Sequence, residues 1–116
     1  MVRMQKALFY IVAGENEKER AMLGLNVAKR SHEFKRFADV KVIIQGSSQK
    51  LIFDEDKDVK ELIDYLIGNK IIDSACTFVA KKLSIEEKVQ GRGVELKPSG
   101  ERVSAFVNEG YVPLVF

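Results

Sequence analysis

Apolar residues fall in short dense runs, separated by stretches whose own apolar positions recur every three or four residues. The run Ala7-Leu8-Phe9-Tyr10-Ile11-Val12-Ala13 is unbroken and rich in aromatic and β-branched types. It predicts a strand buried on both faces, as in a parallel sheet covered by helices. Gly14 ends it. Ala21, Leu25 and Ala28, with Met22 alongside, recur at helical spacing and predict a helix from about Glu17 to the Ser31 region. Asn16 with Glu19 reads as a capping box at its start, and Lys29 and Arg30 complement the helix dipole at its end.

Val40-Lys41-Val42-Ile43-Ile44 predicts a second strand, closed by Gln45-Gly46. Ser47 to Phe53 reads equally as a helical turn or a short strand. Asp54 to Asp58 is a charged loop, read as a solvated loop ahead of a partner-binding face, and Asp58 with Glu61 is a cap signal. Val59, Leu62, Ile63, Leu66 and Ile67 form a helical stripe, stopped by Gly68-Asn69. Ile71 to Cys76 predicts a third strand and Thr77 to Leu83 a short helix. Ser84 and Glu87 have capping-box spacing ahead of a further helical turn. Gly91-Arg92-Gly93 is a turn and Val94 to Lys97 a short strand. Ser99 reads as the cap of a helix carrying Val103, Phe106 and Val107 on one face. Gly110 stops that helix, and Tyr111 to Phe116 is a final strand. Pro113 lacks an N–H for the ladder and sends this strand to an edge.

Strands thus alternate with helices along one domain, residues 1–116. The fold class that follows is α/β, three layers, with a mainly parallel five-stranded sheet flanked by helices in the flavodoxin-like manner. In such folds ligands bind beyond the carboxyl ends of the strands. The loops that reach that end carry Gly14, Glu15 and Asn16; Gln45 and Gly46; Cys76 and Thr77; and Ser99 and Gly100.

Composition narrows the chemistry. At 46% hydrophobic and 31% charged, the chain is too apolar for intrinsic disorder. Nineteen basic residues against seventeen acidic ones leave a net charge of +2, with no basic run interleaved with aromatics, so direct nucleic-acid binding is not expected. A single cysteine excludes an internal disulfide, and one cysteine with one histidine excludes a four-ligand N/S zinc site within the chain. No apolar run approaches the roughly 20 residues of a membrane helix. The first apolar stretch is followed by Gly14-Glu15-Asn16-Glu17 and not by a small-residue cleavage site, so it reads as the first strand of a cytoplasmic protein.

Phosphate-binding glycine motifs are absent, and the first loop lacks the hydroxyls that flavin sites use. Cys76 stands at the end of a strand and the start of a helix. There the dipole and unpaired N–H groups favour the thiolate, with Lys81 and Lys82 nearby; the alternative is a small buried hydrophobe. Glu15 is placed either to accept a proton from Cys76 or merely to favour a helix start, and Asn16 reads more readily as a cap. His32 lies at the wrong end of its helix and reads as a solvated surface residue.

Three features together resemble the DsrE/DsrF-like family, in particular a small single-cysteine subgroup. They are Lys6 to Gly14 before an alanine-containing helix, the Val40 to Gly46 strand, and the ordered series Ala75-Cys76, Lys81 to Ile85, Gly93 to Gly100 and Asn108 to Tyr111. The resemblance spans nearly the whole chain. Where relatives often have Asn two residues after the cysteine, this chain has Phe78. The resemblance implies a flavodoxin-like fold in a homo-oligomer (dimer, trimer or hexamer). It also implies a sulfur carrier or sulfurtransferase that holds a persulfide on Cys76, without metal or organic cofactor. Gly14, Gly46 and Gly100 then shape the surroundings of the thiol. With no second cysteine, sulfur donor and acceptor are separate proteins. The competing reading is an oligomeric small-ligand or protein-binding module without thiol chemistry. A thiol peroxidase is weaker, since no resolving cysteine is present. The apolar Leu114-Val115-Phe116 end suggests burial in a subunit interface.

Overall fold

The computed structural model describes residues 3–116. Its strands are β1 (Lys6–Ile11), β2 (Asp39–Ile44), β3 (Ile72–Cys76), β4 (Leu96–Lys97) and β5 (Tyr111–Val115). Its α-helices are α1 (Lys18–Glu33), α2 (Lys57–Gly68), α3 (Thr77–Leu83), α4 (Glu86–Gly91) and α5 (Ser99–Asn108). The segment that the sequence leaves open, Gly46–Phe53, is a 3-10 helix.

The strands form one sheet in the order β4-β3-β2-β1-β5, every pair parallel. The expected five-stranded three-layer α/β fold is therefore present. From β1 to β4 the chain steps in one direction across the sheet; it then returns over β3, β2 and β1 to place β5 at the far edge. Right-handed crossovers put helices from opposite steps on opposite faces. The packing follows that rule. Ala7, Phe9 and Ile11 of β1 and Val40, Val42 and Ile44 of β2 form the larger core with α1, α2, the 3-10 helix, α3 and α4. Leu8 and Ile43 point the other way, onto Phe106 of α5 and Tyr111 of β5. The continuous apolar run of β1 thus feeds two cores at once, as a doubly covered strand must.

Pro113 sits opposite Leu8 on β5, which pairs only with β1, the edge position its missing N–H demands. The end of the chain turns inward more than expected. Phe116 stacks on Phe9, and its carbonyl accepts the N–H groups of Val12 and Ala13. Val112 and Val115 stay exposed.

Four cap assignments shift. Asn16 is exposed and α1 begins at Lys18; Glu17 turns its carboxylate back to the Gly14 N–H at 3.0 Å. α2 is capped by Asp56, not Asp58, with Oδ1 accepting from Asp58 and Val59 at 2.9 and 3.3 Å. Ser84 adopts a φ of +56° and ends α3, so α4 opens at Glu86 without the Ser84–Glu87 box. Ser99 lies inside the first turn of α5, behind Pro98 at the cap position, and makes no capping bond. In each case another acceptor or a one-residue shift displaces the side chain that the motif nominates.

His32 is also not simply solvated. Its Nδ1 lies 2.6 Å from the Tyr65 hydroxyl and ties α1 to α2 at the amino end of the sheet. In the acidic run, Asp54 pairs with Lys18 and accepts the Asp56 N–H, so part of that loop serves the local turn. No helix among the described residues is long and apolar enough to cross a membrane.

Candidate functional site

The connection leaving β3 enters α3 on one face, while the connection leaving β4 enters α5 on the other. Adjacent parallel strands whose exits diverge open a crevice at their carboxyl ends, where α/β folds bind ligands. Cys76 ends β3 on one side of this divergence, and Ser99 follows β4 on the other. The registers Ile44↔Ala75 and Cys76↔Lys97 bring Gln45, Cys76 and Ser99 side by side.

The environment of the thiol is polar although Cys76 is only 4% exposed. Burial pushes its pKa up. Against that, neutral donors close to the sulfur, the Val79 N–H, the Ser99 hydroxyl, the Gln45 side chain and the Phe78 N–H, favour its charged form, and the balance lies below the ordinary thiol value. All four are neutral groups. Lys81 and Lys82 are exposed on α3 and are not among the groups acting on the sulfur.

Gln45 is oriented by its own chain. Its Oε1 accepts the Gly46 N–H at 2.9 Å, so the amide nitrogen faces away from that bond, and Nε2 donates to the Tyr10 hydroxyl at 3.4 Å. Gly46 makes the turn possible, since its φ of +64° is strained for a side-chain-bearing residue. Ser99 is 2% exposed, and its hydroxyl has no hydrogen-bond partner. Gln49, fully buried in the 3-10 helix, donates Nε2 to the Cys76 carbonyl at 3.2 Å and leaves its Oε1 without a partner.

A bidentate bridge holds the two halves of the site together. Arg102 Nε and Nη2 donate to Asp73 Oδ2 and Oδ1 at 3.0 and 2.9 Å, with Lys97 at 3.8 Å. Asp73 lies on the strand that carries Cys76, and Arg102 one turn beyond Ser99 on α5. Burial raises the Asp73 pKa, but Arg102, Ser74 and Lys97 more than offset it and keep the carboxylate ionised.

Of the residues expected at the site, Cys76, Gln45 and Ser99 converge, with Gly46 shaping the turn. Thr77 is half-buried at the start of α3. Gly100 is exposed, and its carbonyl accepts from Ser104. Glu15 is exposed and ion-paired with Lys50, so it is engaged away from the thiol; Asn16 is exposed beside it. Gly14 borders a separate cleft of about 140 Å³ with Glu15, Lys18, Ser48 and Lys50. Phe78 is 71% exposed. Sequence reasoning missed Tyr10, Gln49 and the Val79 N–H. Gln49 lies in the polar run Ser47-Ser48-Gln49-Lys50, where nothing in the sequence marks it as buried.

A hollow of about 790 Å³ lies at the opposite end of the sheet, around His32, Asp39 and Tyr65. It holds none of the groups that act on Cys76.

No protein-family model matches the chain, and no curated protein matches it. Solved structures share the fold, among them the following two. The conserved protein of unknown function BT1422 from Bacteroides thetaiotaomicron superposes with a TM-score of 0.74 at 18% identity, covering 94% of both chains. The ychN protein from E. coli superposes with a TM-score of 0.74 at 13% identity, covering 97% of this chain and 100% of its own. At these identities the likeness is one of fold: a five-stranded parallel α/β domain matched along nearly its full length.

Proposed function

We propose that this protein carries sulfur as a persulfide on Cys76 and passes it to the thiol of a separate partner. The observation that carries the reading is the position of Cys76 at the carboxyl end of β3 and the start of α3, where the exits of β3 and β4 diverge and neutral donors from Gln45, Ser99 and the first turn of α3 stand near the sulfur. These donors favour the thiolate, the form that attacks sulfane sulfur. The DsrE/DsrF-like resemblance of the sequence supports the same role. No second cysteine is available to resolve the adduct within the chain, so the acceptor is external.

A specific observation favours a second reading, a binding module without thiol chemistry: Cys76 is 4% exposed. One experiment separates the two. Native protein is incubated with inorganic polysulfide and its intact mass compared with that of Cys76→Ser. Gain of one sulfur by wild type alone supports the carrier. No gain on native protein, with gain after unfolding in urea, leaves the binding module.

A further inference from the structure

We propose that the Ser99 hydroxyl and the Gln45 amide are a donor pair that holds a second, negatively charged sulfur on Cys76. The inference rests on the persulfide reading and assigns two residues their part in it.

Three observations lead there. Gln45 directly follows β2 and Ser99 lies two residues beyond Lys97 of β4, the two strands that flank β3 and Cys76. Ser99 is 2% exposed, and its hydroxyl has no hydrogen-bond partner. A buried hydroxyl without a partner weakens a fold, and an acceptor that arrives with the reaction would satisfy it. The Gln45 amide cannot freely reverse, because Gly46 occupies its oxygen. It therefore presents hydrogen atoms, not lone pairs, toward the thiol and the Tyr10 hydroxyl. Both groups donate and neither carries charge. An anionic sulfur accepts from both; a neutral thiol accepts weakly. Glu15, the acidic residue expected near the site, is held by Lys50 and adds no repulsion at the sulfur.

The chemistry balances without an added oxidant. The Cys76 thiolate attacks the end sulfur of a protonated inorganic polysulfide. A new bond forms from Sγ to that sulfur, the neighbouring S–S bond breaks, and the shortened polysulfide leaves with the electron pair. The added sulfur then gives its proton to water, and its negative charge meets the two donors.

The test uses the full chain, sodium polysulfide and intact mass. Wild type, Ser99→Ala and Gln45→Met are loaded, freed of excess reagent and exposed to cyanide, which strips an outer sulfur. Ser99→Ala is expected to lose the adduct about tenfold faster, the size of one hydrogen bond to a charged group, and Gln45→Met by a similar factor. The pH midpoint for alkylation of the outer sulfur is expected to rise in both. Ser99→Ala is also expected to melt no lower than wild type, because it removes an unsatisfied hydroxyl; a purely structural role predicts the reverse. Should Ser99→Ala fail to fold, Gln45→Met, altered at a half-buried residue, decides the matter. Equal cyanide sensitivity and equal midpoints in all three proteins would overturn the donor pair while leaving the persulfide intact. A wild type that takes up no sulfur overturns both.

Discussion

Gly24 of α1 lies so close to Phe116 that a Cβ placed on it would sit 2.7 Å from the phenylalanine Cγ, and 2.7 Å from Ile11 Cδ1. Alanine normally gains about 1 kcal/mol over glycine inside a helix. Here the overpacking, about 1–3 kcal/mol, opposes and exceeds that gain. Gly24→Ala is expected to lower the urea midpoint, and to lower it less in a Phe116→Ala background. An unchanged or higher midpoint would mean that the end of the chain yields freely.

The Asp73–Arg102 bridge makes an acid-side prediction. The folded carboxylate titrates below its ordinary value of 3.8. Its contribution is therefore complete above that value and is lost as the pH falls through the lower, folded one. Asp73→Asn is expected to cost about 1–3 kcal/mol at neutral pH, with the gap to wild type narrowing on acidification. Urea titrations at a series of pH values measure it; a gap that widens toward acid contradicts the assignment.

Cys76 predicts a stability difference with the opposite placement on the pH scale. Its folded pKa lies below the ordinary 9.0. The thiolate's stabilisation is full above 9.0 and fades as the pH drops through the folded value. Wild type is expected to gain on Cys76→Ala as the pH climbs across that interval. A difference that stays flat would show that the donors do not act on the sulfur.

The far end of the sheet supplies a control. Tyr65→Phe removes the 2.6 Å bond to His32 and is expected to cost about 1 kcal/mol. Sulfur uptake by Cys76 should be unaffected, since the two places sit at opposite ends of the strands. Loss of uptake in a stably folded Tyr65→Phe protein would link the two ends.

Why was the architecture readable in the sequence while the site was readable only in part? Apolar runs such as Ala7 to Ala13 and the stripe from Val59 to Ile67 respond to burial alone, and burial follows periodicity. The placement of Cys76, Gln45 and Ser99 at the carboxyl end followed from the alternation of strands and helices. What each side chain does there did not. Ser99 has the look of a cap, yet it sits inside the first turn of α5, where its buried hydroxyl finds no partner. Glu15 has the look of a base, yet Lys50 of the 3-10 helix takes it. Gln49 reaches the Cys76 carbonyl from a segment whose conformation the sequence left open. Such pairings join distant parts of the chain, and local patterning carries no record of them.

The return of β5 across the whole sheet bears on how the chain acquires its shape. Lys6 pairs with Tyr111, so the β1–β5 ladder joins strands from nearly opposite ends of the sequence. The four preceding strands add by short steps, whereas this ladder closes a loop almost as long as the domain, the kind of closure that slows folding. Until it forms, β1 is itself the edge of a four-stranded sheet, apolar and open to any other extended strand. A ribosome-bound chain lacking residues 111–116 exposes that edge, and so does a native molecule whose β5 has frayed. The same late-arriving strand that completes the sheet therefore guards the protein against aggregation.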